Sequence, residues 1–182
     1  KNVTITSANP DDPEIVAATI IDCSGTVNRG VYFARNAGPG AVLNGITIQN
    51  GVWTALPPDP GIYDGRHIAG GGILVGFQSS PTIKNCVIRG FRLTGGNAVP
   101  GPGADGDDGG FALGAGIYCC QESAPTIINT LITDCHVVGG NATSGVSVSP
   151  GNPTATPPVP ASPVSGRGGW GGGARGGGVY IA

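Results

Sequence analysis

Three aspartates lie close together in a glycine-rich stretch and could bind a cation. Asp105, Asp107 and Asp108 stand in the sequence Ala-Asp-Gly-Asp-Asp-Gly-Gly, residues 104–110. Ca²⁺ is bound in proteins by carboxylate and backbone oxygens, and glycine allows a backbone to fold around an ion. The spacing matches neither an EF-hand loop nor the nonapeptide calcium repeat. These residues are therefore a candidate Ca²⁺ site, with a solvated turn as the alternative, and no other cofactor is expected.

The histidines and cysteines lack the spacing of a metal site or of a disulfide framework. His67 and His136 have no second ligand at metal-binding spacing, so both are expected at the surface. The five cysteines are odd in number. We expect buried free thiols, and the alternatives are a vicinal bridge between Cys119 and Cys120 or a bond between neighbouring repeats.

A repeat of 44 residues must position these side chains. The stretch from Gly70 to Ala98 recurs without a gap from Gly114 to Ala142, with 13 of 29 positions identical. Each copy holds three short apolar pieces separated by Gly, Ser, Pro and Asn, which is typical of strands. No segment has the length or period of a helix, and residues 8–14 are interpreted as a turn. Because three short strands cannot bury an apolar face alone, the repeats should stack about 4.8 Å apart as an all-β solenoid of parallel strands.

One strand of the repeat predicts a column of aromatic side chains. It occurs four times, at residues 30–34, 72–76, 116–120 and 178–182. Alternation turns the first and third apolar residues inward and the middle residue outward, which places side by side Tyr32, Leu74, Tyr118 and Tyr180. Tyr32, Tyr118 and Tyr180 are therefore a candidate carbohydrate-binding stripe. The alternatives are simple stacking of like on like, or a column covered by a loop.

Composition separates an ordered body from its loops. The chain has 35 Gly and 16 Pro among 182 residues, and they crowd between the repeat strands. We expect a single domain over residues 1–182, with long Gly- and Pro-rich loops at one corner over about 52–69, 93–113 and 137–177. Strand-like sequence at both termini suggests that the chain continues in a longer protein.

Charge and hydropathy exclude two classes of partner. The chain has nine Lys and Arg against eleven Asp and Glu, for a net charge of −2. It therefore offers no basic stripe for a phosphate backbone, and nucleic acid is not an expected partner. No run of residues approaches the length of a transmembrane span.

The order of the motifs resembles a known family. Gly-Gly-Gly-Ile, Ser-Pro-Thr-Ile, Asn-Cys-x-Ile and Gly-Gly-Asn-Ala follow one another, after an opening Lys-Asn-Val-Thr-Ile-Thr-Ser. This pattern resembles the right-handed parallel β-helix repeats of the pectin-lyase-like superfamily, especially those of large secreted or surface proteins of planctomycete-type bacteria. The resemblance implies three short parallel sheets and about four coils. It also implies a ladder in which the amides of Asn85 and Asn129 bond coil to coil, the alternative being two independent turn residues.

The resemblance is weak on activity, because this fold serves lyases, hydrolases, esterases and adhesins alike. A lyase of this kind needs carboxylates around Ca²⁺ and a basic side chain, and a hydrolase needs two or three neighbouring aspartates. The outward positions of the repeat carry no such cluster, so no catalytic residue is carried over.

We expect a non-catalytic structural or adhesive section of a large extracellular or cell-surface protein. Its loops would contact neighbouring copies, other surface proteins or polysaccharide. One alternative is a polysaccharide lyase or glycoside hydrolase whose active site lies outside this chain. The other is a carbohydrate-binding module that uses the outward tyrosines.

Overall fold

The protein is built almost entirely from short strands. The computed structural model describes residues 2–25, 29–55, 67–98, 107–144, 146–149, 162–165 and 168–182. In chain order the elements are β1 (Thr4–Thr6), α1 (Pro13–Ala18), β2 (Ile20–Asp22), β3 (Val31–Phe33), β4 (Val42–Asn44), β5 (Thr47–Gln49), β6 (Val52–Thr54), β7 (Ile68–Ala69), β8 (Ile73–Val75), β9 (Thr82–Lys84), β10 (Val87–Arg89), β11 (Arg92–Thr94), β12 (Ala112–Leu113), β13 (Ile117–Cys119), β14 (Thr126–Ile128), β15 (Leu131–Thr133), β16 (His136–Val138), β17 (Val146–Ser149), β18 (Ser162–Ser165), β19 (Ala174–Arg175) and β20 (Val179–Ile181).

The strands form five parallel sheets, which the chain visits in a fixed order. They are sheet A (β1-β4-β9-β14), sheet B (β2-β5-β10-β15), sheet C (β6-β11-β16), sheet D (β7-β12-β19) and sheet E (β3-β8-β13-β20). One passage from sheet A to the next strand of sheet A is called a coil here, and the four strands of sheet A begin four coils. A separate antiparallel pair joins β17 and β18. The architecture is all-β, with stacked coils as expected.

The prediction of three sheets was wrong, because two further sheets lie in stretches that resemble loops. Strands of sheets C and D are only two or three residues long, and glycines flank them. Each contributes an inward side chain, such as Leu93 or Ala112, and both of these are fully buried. The ranges 52–69 and 93–113 therefore begin and end in strands, and 137–177 begins in β16 and contains β19 near its end, although all three were expected to be loops throughout.

The register predicted from the repeat is confirmed. Ile73 of β8 pairs with Ile117 of β13, and Ile83 of β9 pairs with Ile127 of β14, each across 44 residues. The inward residues of all five sheets meet in one core, whose fully buried members include Leu43, Ile48, Ile73, Ile83, Ile88, Leu93 and Ile117. Burial of each such side chain contributes about 1.5–3 kcal/mol, so the stacked columns are the main source of stability.

A short helix, α1, was not expected from the sequence. Its N-cap is Asp12, whose Oδ1 accepts a hydrogen bond of 2.9 Å from the backbone N–H of Glu14. Pro13 occupies the first helical turn, where its missing N–H costs nothing. The helix packs on the outer face of sheet B, because Thr47 Oγ1 donates to the carbonyl of buried Val16 at 2.8 Å. At six residues it is too short for helical periodicity, and the cap was its only signal.

The corners between sheets depend on residues with left-handed backbone. Between sheets A and B, φ is 70° at Gly45, 52° at Asn85 and 42° at Asn129. These three residues follow equivalent strands of successive coils. Glycine and asparagine adopt this conformation most readily, which explains why they recur at this corner. The described residues contain no helix long and apolar enough to cross a membrane.

Candidate functional site

The corner between sheets A and B holds a series of hydrogen-bonded amides. Asn129 Nδ2 donates to Asn85 Oδ1 at 2.8 Å, and Asn85 Nδ2 donates to Asn44 Oδ1 at 3.1 Å. Asn44 Nδ2 in turn donates to Thr6 Oγ1 at 3.4 Å. The structure thus brings Asn85 and Asn129 together and adds Asn44, which the sequence analysis missed. In this coil two neighbouring residues share the roles that Asn85 and Asn129 each combine: Asn44 supplies the amide and Gly45 the left-handed backbone. The dipeptide Asn44-Gly45 was the signal in the sequence that could have identified Asn44.

A second polar network crosses the outer face of sheet B. Asp22 Oδ2 accepts hydrogen bonds from Gln49 Nε2 at 3.0 Å and Asn50 Nδ2 at 3.2 Å, and its Oδ1 accepts from the Ser24 N–H at 2.8 Å. Gln49 Oε1 accepts from Arg89 Nη2 at 2.7 Å and Nε at 3.0 Å. Hydrogen bonds from Ser24 and Gln49 hold the pKa of the Asp22 carboxyl well below its usual range. The sequence analysis did not identify this network, because Asp22 lies in the first, less regular coil.

The outward tyrosines lie in one register column, which Leu74 interrupts. The rings of Tyr118 and Tyr180 stack with centroids 5.6 Å apart and planes inclined by 16°. Leu74 lies between Tyr118 and Tyr32, as the pairing of β3, β8 and β13 requires. Tyr32, with 58% of its surface exposed, therefore stands apart from the stacked pair. Because each stacked ring covers a face of the other, the pair offers less free aromatic surface than three separate tyrosines would.

Of the aspartates proposed for Ca²⁺, Asp108 uses its carboxylate in a hydrogen bond within the protein and Asp107 uses its backbone N–H. Asp105 lies outside the described residues. The Asp107 N–H donates to Thr143 Oγ1 at 2.8 Å, and Asp108 Oδ1 accepts from the Trp170 N–H at 2.6 Å. Within the described ranges, no group of three or more His, Cys, Asp or Glu side chains is placed to hold a metal ion. Asp107 and Asp108 thus join loop segments that are distant in sequence.

Glycine-rich segments of two loops pack into one layer, which we call the glycine layer: residues 95–98, 107–110, 139–143 and 168–173. Backbone hydrogen bonds of 2.8–2.9 Å run across it, from Gly110 N–H to Gly96, from Gly140 N–H to Gly110 and from Gly172 N–H to Gly140. The segments are so close that a Cβ on Gly140 would collide with the carbonyl of Gly96, and one on Gly172 with that of Gly110. Only glycine permits this approach of backbones. The loops at 93–113 and 137–177 therefore lie against one another, as their shared corner predicted.

A single aromatic side chain projects from the glycine layer. Trp170 has 81% of its surface exposed, and its carbonyl accepts a hydrogen bond of 2.8 Å from the Gly109 N–H. The sequence analysis noted this tryptophan only as part of a glycine-rich loop. The signal that could have identified it is a large aromatic residue in the run Gly-Gly-Trp-Gly-Gly-Gly, where no neighbouring side chain can cover it.

A groove of about 530 Å³ lies beside α1 on the outer surface. Val16 and Pro13 form its helical wall, Val87 and Leu131 lie on the adjoining strands, and the amide of Asn129 faces it. Apolar and amide groups dominate these residues, which provide no pair of neighbouring carboxylates for acid–base chemistry.

The structure places the two histidines differently, and it shows the cysteines as free thiols. His67 Nδ1 accepts a hydrogen bond of 2.8 Å from the Phe111 N–H, and its ring lies 5.0 Å from the Phe111 ring. Exposed His136 pairs in register with Arg92. All five cysteines are free thiols, and Cys23, Cys86 and Cys119 are buried. Burial raises the pKa of the Cys119 thiol to about 11, so this group is neutral at physiological pH.

No known protein family, curated protein or solved structure matches this chain.

Proposed function

We propose that the chain is a non-catalytic structural section of a right-handed parallel β-helix of the pectin-lyase-like kind. It would belong to a large extracellular or cell-surface protein, and its loops would contact neighbouring proteins or polysaccharide. One observation supports this proposal above the others: polar side chains on the outer faces bond to neighbouring coils. Examples are Asn129 with Asn85, Arg89 with Gln49, and Gln78 with Glu122 at 2.8 Å.

Outer side chains that are hydrogen-bonded to neighbouring coils suit a structural rod better than an enzyme. A catalytic group must meet its substrate, and a general acid or base needs a pKa near the working pH. The lowered pKa of Asp22 keeps this carboxylate ionised, which favours a fixed hydrogen-bond acceptor over a proton donor. Asp22 is also fully engaged by Gln49, Asn50 and Ser24.

The loops support a role in contact. In the glycine layer, backbone groups bond to one another, so these described segments of the loops present a fixed surface. A surface whose backbone is already ordered loses little conformational entropy when it binds a partner.

This proposal is tested by incubating the protein with polysaccharides and measuring both its binding and the release of cleavage products. The protein is incubated with cellulose, chitin, xylan and polygalacturonate, and retention on the insoluble polymers is measured by co-sedimentation. New reducing ends and the ultraviolet absorbance of unsaturated uronates are followed in the same samples. A structural or adhesive section releases no products, whether or not it is retained. Turnover of any polymer would overturn the proposal in favour of an enzyme.

Location is tested separately, with antibodies against this chain applied to intact and permeabilised cells that express the protein. Labelling of intact cells is expected. Labelling that appears only after permeabilisation would contradict a surface role.

A further inference from the structure

Trp170 is the most exposed large hydrophobic side chain in the described part of the molecule. Its exposed fraction is 81%, compared with 68% for Ile181 and 61% for Val52. Single exposed apolar residues are common on protein surfaces, so exposure alone indicates nothing. Trp170 differs because its backbone is held in place while its ring is left free.

The backbone of Trp170 is fixed on both sides of the residue. Its N–H donates to Asp108 Oδ1 at 2.6 Å, and its carbonyl accepts from the Gly109 N–H at 2.8 Å. The preceding residue, Gly169, donates its N–H to the carbonyl of Thr143 at 2.9 Å. Three hydrogen bonds to two different segments therefore anchor this short stretch. A rigid aromatic with two side-chain torsions loses little entropy when a ligand contacts it.

The residues on either side of Trp170 leave its indole open to solvent. A Cβ built on Gly168 or on Gly171 would meet no atom within 4 Å. Because the residues next to Trp170 are glycines, their side chains cannot cover the ring. A flat ligand can therefore approach it without displacing a side chain of the flanking residues.

The chemistry near the ring indicates what kind of ligand it would bind. A protein hot spot needs a rim of apolar contacts that excludes water, whereas the described segments bonded to the Trp170 stretch carry the polar residues Asp107, Asp108 and Thr143. A pyranose ring has faces of C–H groups, whose partial positive charge suits the electron-rich face of an indole, and its hydroxyls can bond to carboxylates. The same carboxylates would repel a uronate.

We propose that Trp170 is the aromatic platform of a binding site for a neutral pyranose chain, located on the glycine layer. This inference rests on the proposed function, which it deepens by naming a site and a class of ligand. It differs from the tyrosine column in place and geometry, because the Trp170 ring does not stack on a second aromatic side chain in the described residues.

Tryptophan fluorescence provides a direct test, because the chain has only two tryptophans. Trp53 is half-buried and lies against the guanidinium of Arg29, 4.8 Å from the ring centroid. In the Trp53→Phe variant, Trp170 is the only indole. Cellohexaose, mannohexaose and hexa-N-acetylchitohexaose are titrated separately, with tetragalacturonate as the acidic contrast. At least one neutral oligosaccharide should give a saturable blue shift and protect the indole from acrylamide, and tetragalacturonate should do neither.

Calorimetry of the unmodified chain makes the test independent of the Trp53 variant. The neutral oligosaccharide that binds is titrated into wild type, Trp170→Phe and Trp170→Ala. In a small site one aromatic side chain supplies a large share of the binding free energy, so Trp170→Ala should weaken binding by about tenfold or more. Trp170→Phe should weaken it less, because it keeps an aromatic ring. All three proteins should share one melting temperature, because the side chain is exposed.

Two results would overturn the inference. One is the absence of a fluorescence change and of calorimetric heat with all three neutral oligosaccharides. The other is equal affinity of wild type and Trp170→Ala for an oligosaccharide that binds. Neither result produces polymer turnover, so both leave the non-catalytic proposal intact and remove only this site.

Discussion

Asn129 donates its side-chain amide to the side-chain oxygen of Asn85, at 2.8 Å, although 44 residues separate the two in sequence. Both residues also have left-handed backbone, with φ of 42° and 52°. One residue type thus satisfies two demands at this corner. Its backbone tolerates the turn, and its amide links one coil to the next.

These two demands can be separated by substitution at Asn85. Asn85→Ala loses the amide bonds to Asn129 and Asn44 and forces a Cβ residue into left-handed backbone, whereas Asn85→Gly loses only the bonds. We expect Asn85→Ala to lower the free energy of unfolding by about 2 kcal/mol, and Asn85→Gly by about 1 kcal/mol. Urea denaturation measures both values. Equal stability of the two variants would show that the backbone conformation contributes nothing.

The glycine layer should be intolerant of any side chain at its contacts. In Gly140→Ala the new methyl group would meet the Gly96 carbonyl, so the segments must separate and lose backbone hydrogen bonds. The free energy of unfolding should fall by about 2 kcal/mol or more. Gly168→Ala is the matched control, because its methyl group would meet nothing within 4 Å. Thermal unfolding that is equally affected in both variants would contradict this close packing.

The three buried thiols should react much faster in the unfolded protein than in the native one. Burial raises the pKa of Cys119 to about 11 and also raises that of Cys86, so little thiolate exists at neutral pH. Iodoacetamide should label Cys23, Cys86 and Cys119 slowly in the native protein and rapidly in denaturant. Mass spectrometry should then find five labelled cysteines. Three or fewer after full denaturation without a reductant would indicate a disulfide within the chain, such as one between Cys119 and Cys120.

Much of the way in which the coils stack could be predicted, because equivalent positions of the sequence repeat lie next to each other in neighbouring coils. Ile73 and Ile117 occupy equivalent places in copies that align without a gap, and parallel pairing follows once three short strands must share one core. Sheets C and D escaped prediction because their strands, such as Ala112–Leu113, lie in glycine-rich stretches that were interpreted as loops. Helix α1 was not predicted because its sequence is not part of the repeat, so a comparison of the copies could not reveal it.

The candidate site was less predictable, because its contacts join segments with no shared pattern. The bond between Trp170 and Asp108 connects residues 62 apart, and its partners are a backbone N–H and a side-chain oxygen. Neither a tryptophan nor an aspartate in the sequence indicates that such a contact forms. The network around Asp22 was equally hidden, since its acceptor role depends on Gln49 standing opposite it in the next coil.

The Asp22 network makes stability depend on pH in a defined direction. The folded pKa of Asp22 lies below its usual value of 3.8, so the folded state favours the ionised carboxylate. This contribution is fully present above the unfolded pKa, near pH 4, and is lost as the pH falls from there toward the lower folded pKa. Asp22→Asn removes the charge and keeps one acceptor oxygen for Gln49. Wild type should therefore be more stable than Asp22→Asn at neutral pH, and the difference should shrink below about pH 4.

Urea denaturation of both proteins across this range measures the difference. Gln49→Leu should reduce the pH dependence without a change in charge, because it removes one of the hydrogen bonds that favour the ionised form. Asp134→Asn, a substitution of an exposed carboxylate outside this network, serves as the control for the loss of one negative charge. A difference between wild type and Asp22→Asn that stays constant down to strongly acidic pH would show that Asp22 stabilises the fold by its shape and not by its charge.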